Sequence, residues 1–219
     1  RVRWVIQRLI TYFLWSALLG GRQEIFGYTL ASMLTYVLLT NVVGTIVLST
    51  RTFDIGTIIN NGSLSNNLIR PLHFFHVVVA RELADKWLNI MFSIVEVGLL
   101  IVFLRPPVVF QTDLGTLLSS LAALVIGVVL YFLFSLTLSF FAFWTPDVWS
   151  IRFLSFVVME FFAGGLFPLD ILPQPLYAVA SALPFFYFIY FPIRVYLGGI
   201  GAPALISGFA VGMFWVIAF

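Results

Sequence analysis

Seven apolar stretches constrain this chain more than any other feature; they lie at roughly 2–19, 25–48, 87–104, 114–143, 148–169, 176–193 and 202–219. A bilayer core of about 30 Å takes roughly 20 apolar residues per helix. Stretches of this length give 219 residues room for six or seven crossings and leave none for a separate soluble domain. Composition agrees: 9% of the residues are charged and 62% hydrophobic, where a soluble domain carries about 25% charged residues. Residues 1–219 therefore read as a single all-α polytopic membrane domain with six transmembrane helices. The odd stretch is 176–193, "LYAVASALPFFYFIYFPI", where Pro184 removes a backbone donor near the middle and Pro192 closes the run. Just before it, "FPLDILPQP" clusters Pro168, Pro173 and Pro175. Backbone groups freed at membrane depth survive only where protein or a wet cavity covers them. Residues 164–200 thus read as a re-entrant hairpin of half-helices before the last span; a full crossing by 176–193 fits the charge rule equally well.

Basic residues set the sides. With the start cytoplasmic, the inner segments hold eight: Arg1, Arg3, Arg8, Arg51, Arg70, Arg81, Lys86 and Arg152. The outer segments hold three, Arg22, Arg105 and Arg194. Trp4, Trp87, Trp144 and Trp149 fall at the same inner boundary, where indoles prefer the headgroup level. Both ends are then cytoplasmic, and residues 49–86 form the main cytoplasmic loop. A net charge of +2 is no surplus for a polyanion, so nucleic acid is not an expected partner. Zero cysteines exclude disulfides and thiolate metal sites. The chain starts on Arg1 and stops at Phe219 inside an apolar run, as a segment trimmed at both ends would.

At the centre of the loop lies "NNGSLSNNLIRPLHFFH", residues 60–76, with four asparagines, two serines, two histidines and no acid. Asn60, Asn61 and Gly62 form a turn signal, because Asn and Gly tolerate left-handed conformations. Ser63 or Ser65 can then cap a short helix with Leu64, Leu68 and Ile69 on one side, interrupted by Pro71. Uncharged amides on such a helix suit contact with another protein better than with anionic lipid, which calls for a Lys/Arg cluster. A solvated connector is the alternative.

Four segments in order, "YTLASMLTYVLLTNVV", "DIGTIINNGSLSNNLIRPLHFFHVVVARELADKW", "FWTPDVWSI" and "GGLFPLDILPQPLYAVASALPFFYFIYFPIRVYLGG", resemble the bacterial ABC-2-type transporter permeases. The resemblance covers about 28–200 and is closest to the subgroup found as paired permeases beside one ATPase. Its most specific pieces are "G-x-L-x-x-x-L-x-R-P-L" at 62–72 and "FPLD…LP…LPF…FP" at 167–192. It implies a membrane exporter subunit in the bacterial plasma membrane, with a second permease copy or paralogue, two ABC ATPase subunits and membrane lipid as partners. It also implies a coupling helix in the first cytoplasmic loop that docks on the ATPase. By position that contact falls on Asn60, Asn61, Gly62, Leu64, Leu68, Arg70 and Pro71. The family's amphipathic helix before the first span has no counterpart here.

No ATP site is present in the sequence. A P-loop needs G-x-x-x-x-G-K-[ST], and the single lysine, Lys86, sits in "ADKWLN". ATP and Mg are therefore expected on the partner ATPase, and this chain is not expected to be an enzyme. His73 and His76 share a helical face, but a third ligand would have to come from Glu82 or Asp85 and no H-E-x-x-H accompanies them. An intramembrane metal or acid/base enzyme, and a proton-coupled secondary transporter, are the competing readings. Glu96 and Glu160 are the acids deepest in predicted spans. A charge there costs about 2.5–3.5 kcal/mol on insertion scales, so each needs a reason. Either they face the pathway or the second permease, or they are protonated and hydrogen-bonded in the bundle. Asp170 and Pro184 in the broken segment join them as pathway or interface candidates. Two small-residue stripes, Ser119, Ala123, Gly127 and Ala204, Gly208, Gly212, let a neighbouring helix approach closely. The aromatics of "PFFYFIYFP" fit an outer membrane interface or the wall of a lipid-like substrate site.

Overall fold

The computed structural model describes residues 2–19, 24, 26–69 and 71–219; for residues 2–9, 19 and 104 it describes the backbone alone. The helices are α1 (Val2–Leu19), α2 (Leu30–Leu48), α3 (Phe53–Asn60), α4 (Leu64–Leu68), α5 (Phe74–Leu104), α6 (Leu114–Phe140), α7 (Val148–Phe162), α8 (Gln174–Ala182), α9 (Tyr190–Tyr196) and α10 (Ala202–Ala218). Local chemistry sets several ends. Thr29 accepts from the Ser32 amide, Asp113 from Thr116 and Asp147 from Ser150, each satisfying an amide that the first turn leaves unpaired. Helix α5 closes on Arg105 with φ of 43°, and Pro106 and Pro107 follow.

The expected six spans are not what the structure shows. Among the described residues, three helices are long and apolar enough to cross a membrane: Leu30–Asn60, Phe74–Phe103 and Leu114–Phe143. In the first, α2 continues through a bend at 49–52 into α3. The apolar run 148–169 is long enough for one span, but α7 stops after 15 residues. Gly164 there takes φ of +77° and Pro168 follows, so the i→i−4 ladder cannot continue. Helix α10 is apolar but has 17 residues. Apolar composition counts runs and does not register where a helix stops. A second difference concerns the start of α5, which begins at Phe74 instead of near 87. Its first turns hide Glu82 and Lys86 as an i,i+4 pair, so charge does not mark loop here.

The core forms around the broken segment. From Asp170, beside Arg194, the chain descends through α8 to Phe185 and Phe188, which pack on Phe134 in the lower part of α6. It then climbs through α9 to Tyr196, whose carbonyl accepts from Gln111 in the α5–α6 connection. Phe186, Tyr187, Phe188, Tyr190 and Phe191 are all buried. The aromatic rings of this run therefore form the interior rather than an outer girdle. Helix α9 packs against α2 and α6, and α10 against α6. The small-residue stripes make this possible within the chain. A Cβ on Gly127 would lie 2.8 Å from the Tyr187 carbonyl oxygen, and one on Gly208 would enter the Phe191 ring.

Two buried carbonyls of the broken segment, at Gly164 and Pro192, find side-chain donors, as burial demands, and the exposed Ala182 carbonyl finds a third. Tyr36 Oη donates to Gly164 O at 2.6 Å, Ser120 Oγ to Pro192 O at 3.0 Å, and Trp215 Nε1 to Ala182 O at 2.9 Å.

Candidate functional site

Helix α3 ends where the turn signal lies. Asn61 caps it, its amide reaching Thr57 O, and Gly62 follows with φ of +68°. Asn60 Nδ2 donates to Pro146 O at 2.9 Å, tying the turn to the loop before α7. Ser63 occupies the N-cap of α4 but makes no side-chain cap bond, because its backbone is already helical rather than extended. Its hydroxyl donates back to Ile58 O, and Ser65 Oγ donates to Gly62 O. No residue of α4 is buried; Leu68, Ile69 and Leu72 are exposed, Leu64 is half-buried, and Pro71 is exposed. Arg70 lies outside the described residues. The segment is thus a short helix held at its base and uncovered on its apolar side.

Glu96 and Glu160, far apart in sequence, line one cavity of about 430 Å³ between α1, α2, α5 and the start of the broken segment. Tyr36, Asn41, Asn89 and Trp15 share its wall. Its size falls within the range of small-molecule sites. Glu160 Oε2 faces Gly165, where an added Cβ would come within 3.4 Å of it.

Asp170 stands elsewhere. It accepts from Tyr28 Oη at 2.9 and 3.1 Å and pairs with Arg194 at 3.2 Å. Burial, together with the Asp170 carboxylate, pushes the Tyr28 phenol up, so it remains a donor. This triad fastens the start of α2 to the broken segment. Pro184 is buried and opens a 3₁₀ turn through Tyr187. His73 and His76 are exposed with rings 5.3 Å apart, while Glu82 and Asp85 are engaged with residues 50 and 51. Among the described residues, no three metal-ligating side chains gather.

The family model described as "ABC-2 family transporter protein" matches residues 5–219. The chain belongs to that family. Comparison with curated proteins gives no match, and comparison with solved structures gives none either. An ABC-2 permease is a membrane transport subunit rather than an enzyme, and family membership implies an ATPase subunit as its partner.

One part of the permease was invisible to sequence reasoning. At the bend between α2 and α3, Lys86 Nζ donates to Val47 O at 2.9 Å and to Ser49 O. Glu82 Oε2 accepts from Thr50 Oγ1 and the Arg51 amide, both at 3.0 Å, while Oε1 faces the Lys86 ammonium at 3.3 Å as an ion pair without hydrogen-bond geometry. Ser139 Oγ donates to Thr52 O at 2.8 Å, and Thr52 Oγ1 meets Ser135 Oγ at 2.6 Å. Arg152 donates to Ser135 O, Ser139 Oγ and Thr52 O, with its guanidinium 3.9 Å from the centroid of the Phe53 ring. The only signal in sequence was three charged residues beside long apolar runs.

Proposed function

We propose that this chain is the membrane subunit of an ATP-driven exporter and that residues 60–71 are its contact with the ATPase. The observation that carries the reading is α4, an uncharged helix on which Leu68, with Ile69 just past its end, is exposed, in a chain of the ABC-2 family. Apolar residues on a polar, uncharged projection fit a protein groove better than a lipid surface. Arg70 and Pro71 complete the motif that resembles the coupling helix of exporter permeases, and the direction of transport is assigned on that resemblance. ATP and Mg bind the partner; closure of the ATPase pair moves the contact and switches access by rigid-body motion. A second permease chain completes the assembly.

Residues 60–71 then lie on the cytoplasmic side of a bacterial plasma membrane. The same side takes both chain ends, which adds a crossing by the 18-residue α1 to the three that qualify by length and composition. Arg1, Arg3 and Arg8 support this for the start. At the other end, the Phe219 ring packs 5.6 Å from Phe134, near the lower end of α6. The cavity holding Glu96 and Glu160 is the candidate pathway, with residues 164–200 as a hairpin entering from the opposite side.

Co-purification tests the contact. Arg70→Glu or Leu64→Pro should abolish association with the ATPase while the permease still inserts. A complex that survives both changes removes residues 60–71 from the interface.

A further inference from the structure

Resting on that reading, we propose that Ser49–Thr52 is the joint through which movement of residues 53–71 reaches the rest of the permease, with Glu82, Lys86 and Arg152 as its positioning residues. The last carbonyls of a helix lack intrahelical partners and are ordinarily met by water or a cap. At the end of α2 they are met by a lysine ammonium whose side chain is 7% exposed. Along Val47–Thr52 three carbonyls and one amide bond side chains from α5, α6 and α7. Phe53, the first residue of α3, lies under the Arg152 guanidinium. The bend is therefore gripped by three helices at once, immediately before the segment that meets the motor.

Stability alone is a poor reason for this chemistry. Burying an ion pair gains little over apolar packing of the same volume. Arg152, 9% exposed, has no carboxylate partner among the described residues and is held by neutral oxygens and the Phe53 ring. What the arrangement supplies is direction. Each charge is matched to a particular backbone group, so the bend cannot rotate without carrying α5, α6 and α7 with it. The ion pair is incidental to that; the backbone contacts are the device.

The chain has no cysteine, so spin labels can be placed without removing native thiols. Cysteines at exposed Thr57 and Gln174 report the motor end against the broken segment; a second pair at exposed Thr112 and Gln174 reports the far ends of α5 and α6. Distances are read by pulsed electron resonance in the complex with its ATPase, with and without ATP–vanadate. In the otherwise native chain both pairs should shift. With Lys86→Met and Glu82→Gln together, the first pair should keep its shift and the second should lose at least half. Undiminished shift of the second pair overturns the joint alone. No shift of the first pair in the otherwise native chain overturns the docking reading and the joint with it. The exchanged pair, Glu82→Lys with Lys86→Glu, restores the ion pair but offers each backbone group the wrong partner. It should behave like the neutral pair, and full recovery would overturn the proposal. If the neutral pair fails to assemble, Ser139→Ala removes one bond to Thr52 without touching charge and should reduce the second shift in the same way; an unreduced shift overturns the joint.

Discussion

Asp147 opens α7 by accepting from the amide and hydroxyl of Ser150, and those donors hold its carboxyl below the usual carboxylate range. Asp113 is held down in the same manner by Thr116 at the start of α6. A lowered folded-state pKa stabilises the fold fully above the unfolded value of about 3.9, and the contribution is lost as pH falls through the lower folded value. Acidification below about pH 4 should therefore fray the first turn of α7. Asp147→Asn keeps a cap but does not titrate, so the protection of the Ser150 amide, taken relative to its intrinsic exchange rate, should lose its acid dependence in that variant. Glu160 carries a different prediction: Glu160→Gln should lower ATP-driven transport while assembly with the ATPase is unchanged, and unaltered transport would take it out of the pathway. The acids at 96 and 160 and the amide-rich loop were legible in sequence, because polar groups stand out in an apolar chain. The bend at 49–52 was not. Its partners come from positions up to 100 residues away, and each is unremarkable where it stands.

At the scale of elements, length does not set burial: seven-residue α9 is enclosed, five-residue α4 is not, and 31-residue α5 lies mostly open. Tyr190, Phe191 and Ile193 of α9 are almost completely enclosed, whereas long α5 is largely exposed apart from the face that grips the bend. Phe191→Ala should cost about 3–5 kcal/mol of stability, read by thermal unfolding in detergent, because its ring fills the space left by Gly208. Gly127→Ala should cost about 1–3 kcal/mol, since the obstacle is the Tyr187 backbone and cannot swing aside. Prolines announced the breaks at 168–192 in advance. That the broken segment forms the interior was hidden, since aromatic runs suit a core and a membrane interface equally well.

At the scale of the whole molecule, α5 has 31 residues and spans about 46 Å, more than a bilayer core. The connections at its two ends, 61–73 and 105–113, must then face opposite sides. Cysteines at Asn66 and Thr112 test this in sealed vesicles: an impermeant maleimide should label one and spare the other, and labelling of both would contradict a crossing by α5. Span number was the part composition misjudged, because it measures how oily a run is and not where its helix breaks.

Donors for the carbonyls of 164–200 come from Tyr36 and Ser120, made earlier, and from Trp215, made later. During synthesis the exposed Ala182 carbonyl must therefore wait for its indole donor, and the Phe191 ring for its seat on Gly208, until residues 202–218 emerge. A ribosome stalled before residue 215 should leave residues 164–200 open to proteolysis, although every residue of the stretch has already been translated.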